Sequence, residues 1–159
     1  MLSILDGEIK GINLYHAVQI GLVHDLAEAI TGDIDSYRIV LREITKKQKY
    51  KMEEKAMKKI RKRVPSIGPK IYNLWKEFEE CKNPEAKYAK AMDKIEALIH
   101  LLHVNYIARE DNAEAELTAK YVDNAVKKFP QLQPLLNIIK LRLKKEFKKQ
   151  GFQWKSHYD

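Results

Sequence analysis

Apolar residues recur every three to four positions along almost the whole chain, the spacing of a buried stripe on an α-helix. Leu14, Val18, Leu22 and Leu26 form the first such stripe and predict an apolar helix from about Asn13 to Ile30. Thr31-Gly32 then gives a stop, because glycine tolerates the left-handed conformation that ends helices. Residues 33–44 read as a connecting loop. Met52, Ala56, Ile60 and Val64 mark the core face of a second helix, Thr45 to Arg63, which Pro65 closes. A short amphipathic helix from Pro69 to Glu80 carries Ile71, Leu74, Trp75 and Phe78. Asn83-Pro84 is an N-cap followed by proline at the first helical position. It opens a long helix to about Tyr106, with its stripe at Ala89, Met92, Ile95, Ile99 and Leu102. Helices at about Asn112 to Lys128 and Gln133 to Lys149, separated by Pro130 and Pro134, complete the pattern. No strand-like alternation, repeat or low-complexity linker interrupts it, so the expectation is a single all-α domain. Met1 to Leu5 is apolar from the first residue with no cap before it. It reads either as a short helix or as the last turns of one that begins upstream.

Composition narrows the class. A chain of 159 residues with 45% apolar content can bury one substantial core. Six glycines and five prolines beside 33% charged residues favour long helices over tight turns. The single cysteine, Cys81, cannot form an internal disulfide and suits a reducing cytoplasm. No apolar run approaches the roughly 20 residues a membrane span needs, and the start lacks the basic-then-apolar plan of a secretory signal. A soluble, cytoplasmic protein is expected. The net charge of +8 is concentrated: residues 46–63 hold ten Lys or Arg and two acids, leaving the rest neutral at 20 against 20. Such a run can attract anions, but on a helix it more often simply faces water.

The polar residues worth attention are few. His24, Asp25 and Glu28 stand at i, i+1 and i+4 of the apolar first helix, with Asp33 just past its end. Burying such groups costs several kcal/mol unless something pairs with them, and a divalent metal suits adjacent imidazole and carboxylate. A hydrogen-bonded structural couple is the plainer reading of a His-Asp pair. Three carboxylates around one histidine favour a site. Asp93 is the best partner from a second helix, being a carboxylate in the otherwise apolar stretch from Ala89 to Leu102. Glu96, His100 and His103 follow on the same stripe. His100 lies about 10 Å along the axis from Asp93, and His16 about 12 Å from His24, at 1.5 Å per residue. Neither can easily share an ion with its neighbour, and His157 falls in a polar tail.

The order His24-Asp25-x-x-Glu28, Gly32-Asp33-Ile34, Leu74-Trp75-x-Glu77-Phe78-Glu79 and Glu85-Ala86-Lys87-Tyr88-x-x-x-x-Asp93-Lys94-x-Glu96 resembles the HD-domain 5′-deoxyribonucleotidase family over nearly the whole chain. The resemblance implies a helical HD-domain bundle, usually a homodimer, that removes the 5′-phosphate from deoxyribonucleoside monophosphates. It implies a divalent metal ion (Mn, Co, Zn, Mg or another) held by a first histidine on an upstream helix, the His-Asp pair and a distant aspartate. Carried over by motif, His24, Asp25 and Asp93 are the metal ligands, and Glu28 and Asp33 are the acidic residues around the attacking water and the leaving oxygen. Such a metal polarises phosphoryl oxygens and lowers the pKa of its water, while a carboxylate handles the proton. The family's first histidine and its N-terminal basic and aromatic substrate-binding residues have no counterpart here. The expectation is therefore a segment upstream of Met1 in the whole protein.

Two other classes stand beside this one. A non-catalytic nucleotide-binding or regulatory protein would keep the fold and bind nucleotide without turnover. A nucleic-acid binder would use the basic helix and lose affinity steeply with salt. No aromatic-interleaved basic patch accompanies the charge, so this ranks last. A Gly-x-x-x-x-Gly-Lys phosphate loop is absent, which argues against an ordinary nucleoside triphosphatase.

Overall fold

The computed structural model describes residues 9–108 and 112–159, the side chain of Ser36 excepted. The expectation for Met1 to Leu5 lies outside these residues. Among them the fold is all-α, with no strand. In chain order the helices are α1 (Leu14–Val23), α2 (Glu28–Thr31), α3 (Ser36–Val40), α4 (Lys46–Arg63), α5 (Gly68–Glu80), α6 (Pro84–His103), α7 (Asn112–Lys120), α8 (Asp123–Val126) and α9 (Gln133–Lys149). Single 3₁₀ turns at Pro130–Leu132 and Ser156–Tyr158 follow α8 and the C-terminal tail. No helix among the described residues is long and apolar enough to cross a membrane. The described chain divides into two compact units, residues 11–89 and, with residues 9 and 10, residues 90–159; the division falls within the unbroken α6.

In the first unit α5 packs against both α1 and α4, and α2 against α4. One cluster joins Ile20 of α1 to Leu74 and Phe78 of α5 and to Ala86 and Ala89 of α6. A second joins Ala27 to Ala56 and Met57 of α4 and to Tyr72 and Trp75 of α5. Trp75 is fully buried, with Tyr50 stacked on it at 5.6 Å between centroids. α4 starts on a capping box, in which Thr45 and Gln48 each satisfy the other's backbone. α5 begins so close to the end of α4 that a Cβ on Gly68 would lie 2.6 Å from the Arg61 carbonyl oxygen and 2.8 Å from its Cα. Only glycine leaves room for that approach.

Helix boundaries depart from the periodic pattern where side chains or tight turns claim backbone groups. α6 stops at His103: Asn105 takes φ 54° and Tyr106 N–H bonds to the Leu101 carbonyl, a Schellman-type ending. The expected helix from 112 to 128 is two short helices, because Lys94 Nζ donates to the Tyr121 carbonyl at 3.0 Å where the chain turns. Residues 33–44 contain α3, capped by Asp35, whose carboxylate accepts from Tyr37 N–H. Two core stripes are rotated from their expected positions. In α1 the small face at Ala17 and Ile20 is buried while Leu22 is 75% exposed. In α4 the buried positions are Glu53, Ala56 and Met57, and Met52 is 45% exposed, because Trp75 and Ala27 approach from that side.

The second unit centres on α9, whose Leu136, Ile139, Leu143 and Phe147 are buried. The tail folds back over Phe147, placing Trp154 at 5.1 Å and Tyr158 at 6.3 Å between ring centroids. Buried Lys140 pairs with Asp123 at 2.8 Å and donates to the Tyr158 carbonyl. Glu116 gathers Lys120 at 2.7 Å, Lys155 at 3.0 Å and the Tyr158 hydroxyl at 3.4 Å, and the lysine hydrogen bonds hold its pKa down to about 2.

Gly68→Ala is expected to cost about 1–3 kcal/mol, the usual penalty for overpacking, since the obstructing atoms are backbone. It should appear as a lower denaturation midpoint at unchanged m-value. A carboxylate with a lowered pKa contributes stability above its ordinary range and loses it as pH falls towards the folded value. The Tyr158 ring resonances of the native protein should therefore shift as Glu116 titrates, centred near pH 2 and not near the ordinary carboxylate range. Glu116→Gln should remove that titration.

Candidate metal centre

The expected continuous helix from 13 to 30 is interrupted at the His-Asp pair. α1 ends at Val23, and residues 24–27 form a tightened turn before α2. The Leu26 and Glu28 N–H groups reach the carbonyls three residues back, Val23 and Asp25, at 3.2 and 2.9 Å. The cause is local: His24 Nδ1–H donates to the Gly21 carbonyl at 2.7 Å, the acceptor that Asp25 N–H would use in a continued α-helix. Tightening of this kind brings residues i and i+3 over one another, so Asp25 and Glu28 rise on one side. Gly32 then ends α2 at φ 71°, its N–H bonded to the Glu28 carbonyl.

The imidazole is fixed on two sides. Its ring lies against Phe78 at 4.7 Å, and Nδ1 is spent on Gly21. With that proton on Nδ1, the neutral ring presents the Nε2 lone pair, and Nε2 stands 2.8 Å from Asp25 Oδ2. A lone pair facing a carboxylate oxygen at that distance needs a proton or a cation between them. A ring nitrogen tied to a backbone carbonyl while the other faces the ion is the usual arrangement for metal-bound histidine. The side chain of His24 is 18% exposed and that of Asp25 60%, so the pair opens to solvent.

Asp93 completes the group. It lies one helical turn beyond Ala89, which shares a core cluster with Ile20, itself one turn before His24. One ligand atom from each of His24, Asp25 and Asp93 lies within 4.8 Å of the others, so this cluster can hold a metal ion. Two carboxylates against one imidazole make a donor set that calls for a cation, and its chemistry fits a divalent ion that accepts nitrogen and oxygen ligands.

Glu28 is half-buried next to the cluster. Burial, then the charges of Asp25 and Asp33, push its pKa above the ordinary carboxylate value; Lys49 partly offsets this and Glu53 adds to it. Asp33 is exposed and close enough to act on Glu28 electrostatically. Glu96, His100 and His103 are exposed and take no part in the metal-ligating group found among the described residues. His16 is a tie between elements, with Nε2 2.7 Å from Glu77 Oε2, which also accepts from Asn83 Nδ2 at 2.8 Å. His157 is exposed and 4.0 Å from Glu116. The sequence reading passed over Lys49 and Glu53, which meet at 3.6 Å, with Lys49 Nζ donating to the Ile34 carbonyl at 3.2 Å. The usable signal was an acid four residues after a lysine inside an otherwise basic run.

The fold and this cluster describe a helical protein with a His-Asp-Asp group that could hold a metal ion. A family model described as an HD domain matches residues 1–139, and the chain belongs to that family. Among similar proteins is the human 5′-deoxynucleotidase HDDC2, 37% identical over 89 residues, 55% of this chain and 42% of the human protein. The Dictyostelium discoideum 5′-deoxynucleotidase HDDC2 is 35% identical over 91 residues, 57% of this chain and 46% of that protein. The Schizosaccharomyces pombe 5′-deoxynucleotidase hdd1 is 31% identical over 112 residues, 67% of this chain and 53% of that protein. The chain spans about half the length of the curated relatives it matches.

Proposed function

We propose that this chain is a single HD domain acting as a metal-dependent phosphohydrolase that removes the 5′-phosphate from deoxyribonucleoside monophosphates. The observation that carries the reading is the meeting of His24, Asp25 and Asp93 within 4.8 Å, with Glu28 beside them. Relatives named 5′-deoxynucleotidase support the substrate class. We further propose a homodimer, which the motif resemblance implies, and a cytoplasmic location, which the single cysteine suits.

His24, Asp25 and Asp93 would hold the divalent ion, which would supply Lewis-acid polarisation of a phosphoryl oxygen and activation of water. Mn²⁺, Co²⁺, Zn²⁺ and Mg²⁺ all remain suited to a mixed imidazole and carboxylate set. Glu28 and Asp33 divide the proton work. Water oxygen bonds to phosphorus, the bond from phosphorus to the 5′-oxygen breaks, and that oxygen leaves with a proton as the nucleoside hydroxyl. Glu28, whose burial and neighbouring charges strengthen its hold on a proton, accepts the proton of the attacking water. Asp33, which is exposed, takes up a proton from solvent and donates it to the leaving 5′-oxygen. The open side of Asp25 gives an anionic substrate its approach.

Purified protein supplied with Mn²⁺ or Co²⁺ is expected to release phosphate from deoxynucleoside monophosphates. Asp93→Ala should abolish both that release and Mn²⁺ binding by calorimetry; release unaffected by the substitution refutes the site. Glu28→Gln should retain Mn²⁺ binding while turnover falls by roughly 10²-fold or more, the usual contribution of a general base.

A further inference from the structure

We infer that Lys49, braced by Glu53, is a positioning residue for this reaction: by gripping the Ile34 carbonyl it fixes the turn that carries Asp33. The inference rests on the phosphohydrolase reading, and it adds a residue from α4 to a site otherwise built by the His-Asp segment and α6.

Most of the basic residues of α4 face solvent, among them Lys46, Lys47, Lys51 and Lys55. Lys49 is different. Its side chain is 24% exposed, and its Nζ lies 3.2 Å from Ile34 O and 3.6 Å from Glu53 Oε1. Glu53 is itself only 5% exposed. A buried Lys-Glu pair is a poor source of stability, because desolvating both charges consumes most of their attraction. What such a pair does supply is a fixed direction for its donors.

That direction bears on Asp33. The segment from Gly32 to Asp35 is not itself helical and links α2 to α3. Gly32 enters it at φ 71°, the Ile34 side chain is buried, and Asp35 leaves it as the cap of α3. Asp33 sits between these anchors with an exposed side chain, so the backbone on either side must hold it in place. On the far side that hold is the Ile34 carbonyl under Lys49. At Glu28 the ammonium charge also partly offsets the repulsion from Asp25, Asp33 and Glu53. Because Nζ is directed to Ile34 O and Glu53, Lys49 orients the turn rather than holding the substrate phosphate.

Lys49→Met, Lys49→Arg and Glu53→Gln in the full chain test this, with Mn²⁺ and a deoxynucleoside monophosphate. Lys49→Met is expected to lower kcat by about 10- to 100-fold, the effect of displacing a reacting group by around an ångström. KM should stay unchanged and Mn²⁺ affinity undiminished, and Lys49→Arg should recover part of the loss. Amide exchange at residues 33–36 should quicken in Lys49→Met and, to a lesser degree, in Glu53→Gln, with α1 unaffected. Unchanged kcat, a rise in KM alone, or unchanged exchange at 33–36 would each overturn the inference. Native protein that releases no phosphate defeats the phosphohydrolase reading instead, and the exchange measurement still decides whether Lys49 holds the turn. If Lys49→Met does not fold, the same two readouts on Glu53→Gln decide it.

Discussion

The Nδ1–H of His24 is spent on the Gly21 carbonyl, and the chemistry of the site follows from that bond. It takes an acceptor from the helix ladder, so α1 ends and the chain tightens into i to i−3 hydrogen bonding. It also leaves Nε2 as the lone-pair nitrogen and turns it towards Asp25. Without that bond the pair could settle as an ordinary N–H to carboxylate contact, which needs no ion. With it, an acceptor faces an acceptor unless a proton or a cation comes between them. Asp93 adds a further negative charge to the same group. One side-chain hydrogen bond thus sets the local backbone and leaves Nε2 of His24 to face the carboxylates that could share an ion with it.

The surrounding core keeps that geometry from relaxing. Phe78 supports the face of the imidazole, and it belongs to the cluster that joins α1, α5 and the first turns of α6. Small residues at Ala17, Ala86 and Ala89 are all buried, which permits close approach of the helices that bear His24 and Asp93. α5 is anchored in turn by Trp75 and by the near contact of Gly68 with the Arg61 backbone. Large side chains fill the space and small ones set the distances. A carboxylate at 93 is tolerable only because this framework delivers it to a charged group and not to the apolar interior.

Period and punctuation in the sequence were enough to find most helices, and the reasons for the misses are physical. α4, α5 and α9 lay within a residue of their expected bounds, because capping residues and prolines act locally. α1, α6 and α7 ended early where a side chain captured a carbonyl, as His24 does at Gly21 and Lys94 at Tyr121, or where a Schellman turn closed the helix. Such captures depend on tertiary placement that periodicity does not encode. The buried faces of α1 and α4 were misassigned for a related reason. A stripe of leucines outweighed Ala17 and Ile20, although close packing favours the smaller face. Asp93 was legible as an isolated acid in an apolar stretch. Lys49 and Glu53 were not, because ten basic residues within residues 46–63 hide the one that turns inward.

That hidden lysine joins two features that looked unrelated in the sequence. The chain's excess positive charge resides in α4, whereas the site gathers Asp25, Glu28, Asp33 and Asp93. Uncompensated, so many carboxylates would repel both one another and an anionic phosphate ester. A divalent ion of the kind proposed would neutralise the innermost charges, and Lys49 on the adjoining helix partly offsets the repulsion that Asp25, Asp33 and Glu53 impose on Glu28. The remaining lysines of α4 point to solvent, where their field extends over roughly a Debye length and favours the approach of anions. In the proposed reaction the acidic groups would act at close range on the ion and the proton, while the basic helix would act at longer range on the charge of the substrate.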